Sequence, residues 1–114
     1  MKVNQYIIME ISEEKQKEIL LTQQQYQNVV LEIETLKLRN KEIEEVLEEL
    51  NKTDKNDAYK LVGNVLIKRS KQEIINELNE EKELIELRLK NLEKHKQKLE
   101  EKLKEFKKLL EGNK

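Results

Sequence analysis

The sequence predicts a mainly α-helical protein in which two long helices form an antiparallel coiled-coil hairpin with one β-hairpin at the bend. Apolar residues recur at alternating spacings of three and four in two separate stretches, and a Gly-Asn pair between short apolar runs separates them. This spacing keeps a narrow apolar stripe on each helix, which suits a partner helix. Charged residues make up 41% of the chain and aromatic residues 4%, a composition typical of coiled coils.

We assign residues 1–51 to the first helix. Ser12 precedes two glutamates and has the features of an N-cap, and Asn4 is an alternative start that the sequence leaves open. Polar residues interrupt the apolar stripe of this helix at only two positions. The stripe comprises Ile19, Thr22, Tyr26, Val29, Ile33, Leu36, Asn40, Ile43, Leu47 and Leu50.

Residues 52–69 are predicted to form a loop and a β-hairpin. Residues 51–57 are polar, include several poor helix formers and end the first repeat. Gly63-Asn64 suits a two-residue turn with positive φ at its first position, which pairs Val62 with Val65 and continues outward to Tyr59 with Lys68.

This turn makes both faces of the hairpin apolar. One face carries Tyr59, Leu61 and Leu66, and the other carries Val62, Val65 and Ile67. An isolated two-stranded hairpin is marginally stable in water, and its two edges remain open to other strands. We therefore expect other chains to supply strands, giving an oligomer built around a shared sheet or barrel-like body.

Residues 70–114 are assigned to the second helix. Ser70 and Glu73 fit a capping box, and Gly112 suits the left-handed residue after the helix end at Glu111. One register places every stripe residue opposite a partner, with Asn40 opposite Ile85, although a shift of one heptad also closes the coil. This second stripe comprises Ile75, Leu78, Lys82, Ile85, Leu89, Leu92, Lys96, Leu99, Leu103, Phe106 and Leu110.

In this register residues 1–10 extend past the second helix, so apolar side chains gather at the tip of the coiled coil. Exposed apolar clusters of this kind often indicate an interaction surface. A frayed end that packs on the helix, or one specific partner, is an alternative interpretation. The tip residues are Val3, Tyr6, Ile7, Ile8, Met9, Ile11, Phe106, Leu109 and Leu110.

Several classes of function are disfavoured. The 23 basic and 24 acidic residues are interspersed, which argues against a nucleic-acid partner, and no apolar run is long enough for a membrane span. The start lacks the features of a signal peptide, so we expect a cytoplasmic location. His95 is the lone histidine and cysteine is absent, so neither a metal nor another cofactor is expected. No catalytic constellation is visible, and we expect a protein without enzymatic activity.

The segment Tyr59–Lys68, followed by Glu77-Leu78 and leucine heptads, resembles the β class of prefoldin subunits. The resemblance implies that hairpins of two α and four β subunits form a barrel-like body from which the coiled coils project. It further implies that the tips hold non-native proteins and deliver them to a group II chaperonin without ATP. The alternative is a structural coiled-coil protein that assembles through its hairpin and binds no clients. The implied interface residues are Tyr59, Leu61, Val62, Gly63, Val65, Leu66 and Ile67.

Overall fold

The computed structural model describes residues 12–111, so Asn4 and Gly112 lie outside the described part of the chain. Two long helices flank a two-stranded antiparallel hairpin, which confirms the predicted fold class. The elements are α1 (Glu13–Lys52), β1 (Asp57–Val62), β2 (Val65–Ser70) and α2 (Lys71–Glu111).

The backbone divides into two compact units. The hairpin unit consists of residues 35–90 and holds both strands with the adjoining parts of the helices. The helix-end unit consists, in the described part, of residues 12–34 and 91–111.

Helix α1 begins at Glu13, directly after Ser12, which is one of the two starts that the sequence leaves open. The Ser12 Oγ accepts a hydrogen bond from the Lys15 backbone N–H at 3.1 Å, which satisfies one of the free amides of the first turn. The helix includes Lys52, one residue beyond the predicted end at residue 51. Lys52 Nζ lies 3.3 Å from Glu48 Oε1, one turn back, and a cation in the last turn also favours the helix dipole.

The start of α2 is tied to the loop before the hairpin. The Ser70 Oγ accepts a hydrogen bond from the Glu73 backbone N–H at 3.1 Å, which is one half of the predicted capping box. The Glu73 carboxylate binds Arg69 instead of completing the box. The Lys71 backbone N–H donates to the Asn56 carbonyl at 2.7 Å, and Lys71 Nζ donates to the Thr53 carbonyl at 3.0 Å. One lysine therefore anchors both ends of the short loop.

Within the hairpin unit, the two helix segments run antiparallel around the predicted stripe. Ile43 is fully buried, and Lys82 reaches from its stripe position to Glu44, with Nζ and Oε1 3.3 Å apart. This is the snorkelling geometry expected of a lysine in an apolar seam. Arg39 donates two hydrogen bonds to the Glu81 carboxylate, from Nε at 2.6 Å and from Nη2 at 2.9 Å. These contacts agree with the predicted register, in which Asn40 lies opposite Ile85.

Asn40 is an unsatisfied polar residue in this stripe. Its Oδ1 atom is buried and has no hydrogen-bond partner among the described residues. A buried acceptor without a partner costs about 1–3 kcal/mol of stability. Asn40 therefore weakens the coil.

In the helix-end unit the stripe is buried or half-buried as far as Phe106, and Leu110, its last predicted member, is exposed. Thr22 is 2% exposed and its hydroxyl donates to the Glu18 carbonyl at 2.8 Å, so this buried polar group is satisfied. The Tyr26 hydroxyl donates to the Glu100 carboxylate across the two helices at 3.2 Å. The buried apolar residues of this unit are Val29, Ile33, Leu92, Leu99 and Phe106.

Candidate assembly surface and helix-end residues

The turn of the hairpin fixes its register. Gly63 has a φ of +59°, and every other residue in the range 12–111 has a negative φ. Only the first position of the turn is therefore left-handed. This is the pattern of a type II′ turn, whose twist matches that of paired strands. The predicted register is confirmed and extends by two further pairs. The pairs are Val62–Val65, Leu61–Leu66, Lys60–Ile67, Tyr59–Lys68, Ala58–Arg69 and Asp57–Ser70.

Both faces of the hairpin are exposed. The six apolar side chains assigned to the interface keep between 44% and 66% of their surface accessible. The sheet has two strands, so within residues 12–111 the outer edge of each strand has no strand partner. A run of unpaired backbone groups beside apolar faces is a template for pairing with another chain. The six residues are Tyr59, Leu61, Val62, Val65, Leu66 and Ile67.

Glu77 joins both strands to the beginning of α2. Its carboxylate accepts hydrogen bonds from Arg69 Nη2 and, at 3.2 Å, from Lys60 Nζ. Arg69 Nε also donates to Glu73 at 3.0 Å. Hydrogen bonds from Arg69 and then Lys60 lower the pKa of Glu77. The sequence pattern does not predict this ionic clamp, although Glu73 and Glu77 lie one helical turn apart in the first turns of α2, soon after Arg69.

An open groove lies between β1 and the helices of the hairpin unit. It encloses about 430 Å³. Its charged rim residues already have partners, because Arg39 binds Glu81 and Lys60 binds Glu77. The surface that remains available to a ligand in this groove is therefore mainly apolar. Its apolar lining consists of Val46, Tyr59, Leu61, Ile74 and Leu78.

The predicted tip residues on α2 differ in exposure. Phe106 is 5% exposed, whereas Leu109 is 50% and Leu110 is 37% exposed. The ammonium groups of Lys15 and Lys102 lie 5.0 and 5.9 Å from the centroid of the Phe106 ring, which is the geometry of a cation–π contact. Phe106 thus forms the last buried layer, and the two leucines beyond it face solvent.

Glu18 links the two lysines that cover Phe106. Its carboxylate lies 3.4 Å from Lys15 Nζ and 3.3 Å from Lys102 Nζ. The hydrogen bond from Lys102 is the largest cause of the lowered pKa of Glu18. The other predicted tip residues lie outside the described part of the chain, and they are Val3, Tyr6, Ile7, Ile8, Met9 and Ile11.

Residues 12–111 contain no cluster of three metal-ligating side chains of the histidine, cysteine or carboxylate type. His95 is exposed on α2. Over the same range, neither helix has a stretch long and apolar enough to cross a bilayer.

Comparisons with known proteins agree with the fold and with the hairpin. Residues 13–113 match the family described as "Prefoldin subunit". The prefoldin subunit beta of Archaeoglobus fulgidus is 39% identical over 91 residues, covering 79% of this chain and 78% of that protein. That of Thermococcus onnurineus is 39% identical over 85 residues, or 74% and 73% of the two chains. The crystal structure of the prefoldin beta subunit from Thermococcus strain KS-1 superposes with a TM-score of 0.74 at 30% identity, covering 96% and 90%.

Proposed function

The chain belongs to the prefoldin subunit family, and from this premise we propose that it is an ATP-independent holdase subunit of the β class. Prefoldin subunits are chaperones rather than enzymes, and they assemble with other prefoldin subunits. In our proposal the chain binds non-native polypeptides through the apolar end of its coiled coil and delivers them to a group II chaperonin in the cytoplasm. Two α-type subunits and four copies of the β type form the assembly.

The exposed hairpin is the observation that supports assembly. Six apolar side chains on two faces remain 44–66% accessible, beside two strand edges that have no partner in the described residues. Burial of such surface is favourable by about 25 cal/mol per Å², so strands from neighbouring subunits would stabilise this hairpin. Gly63 contributes by setting the turn that presents both faces.

Client binding is supported at the end of α2 by Leu109 and Leu110, which are exposed next to the buried Phe106. Exposed leucines at a helix end offer a surface that accepts apolar segments of varied shape. Phe106 supports these two leucines, because its buried ring fills the layer of the coiled coil next to them. We assign the N-terminal apolar residues to the same client surface, together forming the set Val3, Tyr6, Ile7, Ile8, Met9, Ile11, Phe106, Leu109 and Leu110.

The second candidate function is a structural assembly subunit without client binding. The burial of Phe106 favours it, because the largest apolar side chain at the helix end is withdrawn from solvent. The two candidates differ in whether the assembly suppresses aggregation of a denatured protein. They share the hairpin as the assembly element.

Assembly is tested by Leu66→Asp, which places a charge on the exposed hairpin face. We expect the variant to remain helical by circular dichroism and to fail to assemble with an α-type prefoldin subunit, measured by light scattering. Leu84→Asp is the matched control, because Leu84 is 67% exposed on α2 away from the hairpin. An unchanged mass for Leu66→Asp contradicts the assignment of the hairpin as the assembly element.

Client binding is tested with the assembled complex and a chemically denatured test protein. We expect Leu109→Ser combined with Leu110→Ser to reduce suppression of aggregation, and removal of residues 1–11 to reduce it further. Leu84→Ser is the control for loss of an exposed leucine elsewhere on α2. If the complex suppresses no aggregation at all, the structural alternative is correct.

A further inference from the structure

We propose that the groove between β1 and the helices receives an apolar side chain from the β-hairpin of a neighbouring prefoldin subunit. The inference rests on the proposed assembly and adds to it a second contact area, on α1 and α2. The assembly surface then consists of the hairpin together with Val46 and Ile74, two helix residues that the sequence analysis does not assign to any interface.

The chemistry of the groove selects an apolar occupant. Val46 is 44% exposed although it lies beside the coil seam, and Tyr59 and Leu61 are each 66% exposed. The charged groups at the rim bind one another, so a charged ligand would find no unpaired charge there. Burying an unpaired charge in such a place is costly, whereas burying an apolar side chain is favourable.

Continuity with the hairpin identifies the occupant as a neighbouring subunit. Tyr59 and Leu61 are at once part of the exposed hairpin face and part of the groove wall, and β1 alone supplies the hairpin residues that line the groove. A chain that covers these two residues during assembly therefore also reaches the mouth of the groove. Its own hairpin, if it is a prefoldin subunit, presents apolar side chains of suitable size.

The ionic clamp holds the groove walls in place. Glu77 binds Lys60, the residue between Tyr59 and Leu61 in β1, and so joins that strand to α2. Arg69 at the end of β2 binds the same carboxylate. The hairpin is consequently restrained against α2 before any partner arrives, which reduces the ordering required on binding.

The chain has no cysteine, so a single introduced thiol reports on one position. Val46→Cys places the thiol in the groove, and Leu84→Cys places it on a more exposed helix surface outside the groove. The rate of reaction with a maleimide is measured for the full chain alone and in the complex with an α-type subunit. We expect assembly to slow the reaction at position 46 by roughly tenfold or more, in line with burial by a specific interface, and to leave position 84 unchanged.

A second variant tests the energetic contribution of the groove. Val46→Glu introduces a carboxylate at an exposed helix position, so the fold is retained, as circular dichroism would confirm. We expect assembly to weaken by roughly tenfold or more, because the carboxylate would be desolvated by the neighbour's apolar side chain. Leu84→Glu is the matched control and should assemble like the parent chain.

The outcomes separate this inference from the assembly proposal. If Leu66→Asp prevents assembly while Val46→Cys reacts equally fast in the free and assembled chain, the groove is not occupied and the inference is overturned. The inference is also overturned if the thiol at position 46 already reacts as slowly in the free monomer as it does in the complex. If Leu66→Asp itself leaves the mass unchanged, the assembly proposal has failed.

Discussion

Replacing Asn40 with leucine should stabilise the hairpin unit. The Asn40 Oδ1 atom is buried without a hydrogen-bond partner in the described residues, which costs about 1–3 kcal/mol. Leucine removes this acceptor and adds apolar surface at a stripe position that neighbours the fully buried Ile43. We expect Asn40→Leu to raise the free energy of unfolding by about 1–3 kcal/mol. Each kcal/mol corresponds to a rise of roughly 4 °C in the melting temperature for a chain of this size.

The measurement is urea unfolding followed by circular dichroism, at one fixed protomer concentration because assembly contributes to apparent stability. Thr22→Val is the matched control, since Thr22 is also a buried polar stripe residue. Its hydroxyl donates to the Glu18 carbonyl at 2.8 Å, so the substitution exchanges a satisfied hydrogen bond for apolar burial. We expect Thr22→Val to change the free energy of unfolding by less than about 1 kcal/mol.

The two variants together test whether the missing partner is what makes Asn40 costly. A gain for Asn40→Leu no larger than that for Thr22→Val would show that the missing hydrogen bond is not the cause. A loss of stability in Asn40→Leu would mean that the asparagine side chain contributes favourable interactions to the folded chain.

Three further predictions concern the hairpin and its attachment. Gly63→Ala should destabilise the turn by about 1 kcal/mol in thermal unfolding, because φ of +59° strains a residue with a Cβ although nothing lies within 4 Å of that atom. Ser70→Ala should lower the free energy of unfolding by about 0.5–2 kcal/mol in urea, through loss of the cap on α2. Hydrogen bonds from Arg69 and Lys60 lower the pKa of Glu77 in the folded chain. The stability that they contribute is therefore fully present above the unfolded-state pKa near 4.5, and it is lost as the pH falls through the lower folded-state pKa. Glu77→Gln should therefore flatten the acid limb of a melting-temperature profile between pH 6 and the acid transition, and an unchanged profile would contradict this role.

The fold could be predicted because local signals and the seven-residue repeat agree. Gly63-Asn64 determines the turn, and a two-residue turn leaves one register for the strands, so every predicted pair is found. Ser12 and Ser70 mark the helix starts because a side-chain oxygen at that position satisfies a free amide. Each of these signals depends on residues that are close together in the chain, so it can be recognised from the sequence alone.

The contacts between elements were less accessible to sequence reasoning. The clamp at Glu77 depends on where the long side chains of Lys60 and Arg69 reach after the hairpin has folded back towards α2. Phe106 was predicted at an apolar tip, and its burial beneath Lys15 and Lys102 depends on lysine stems that a hydropathy pattern treats as polar. The client surface itself stays a prediction.

If neighbouring subunits pair with both strand edges that are open in residues 12–111, as the proposed assembly requires, each copy of this chain is divalent. Divalency then determines how copies can propagate. Successive strands turn by roughly 20–25°, so a row of hairpins curves as it grows. When the accumulated rotation closes, growth ends in a ring of fixed number, and when it does not, the same contacts produce an open filament. A different subunit that pairs at one strand edge only would therefore stop growth and limit the number of subunits in the assembly.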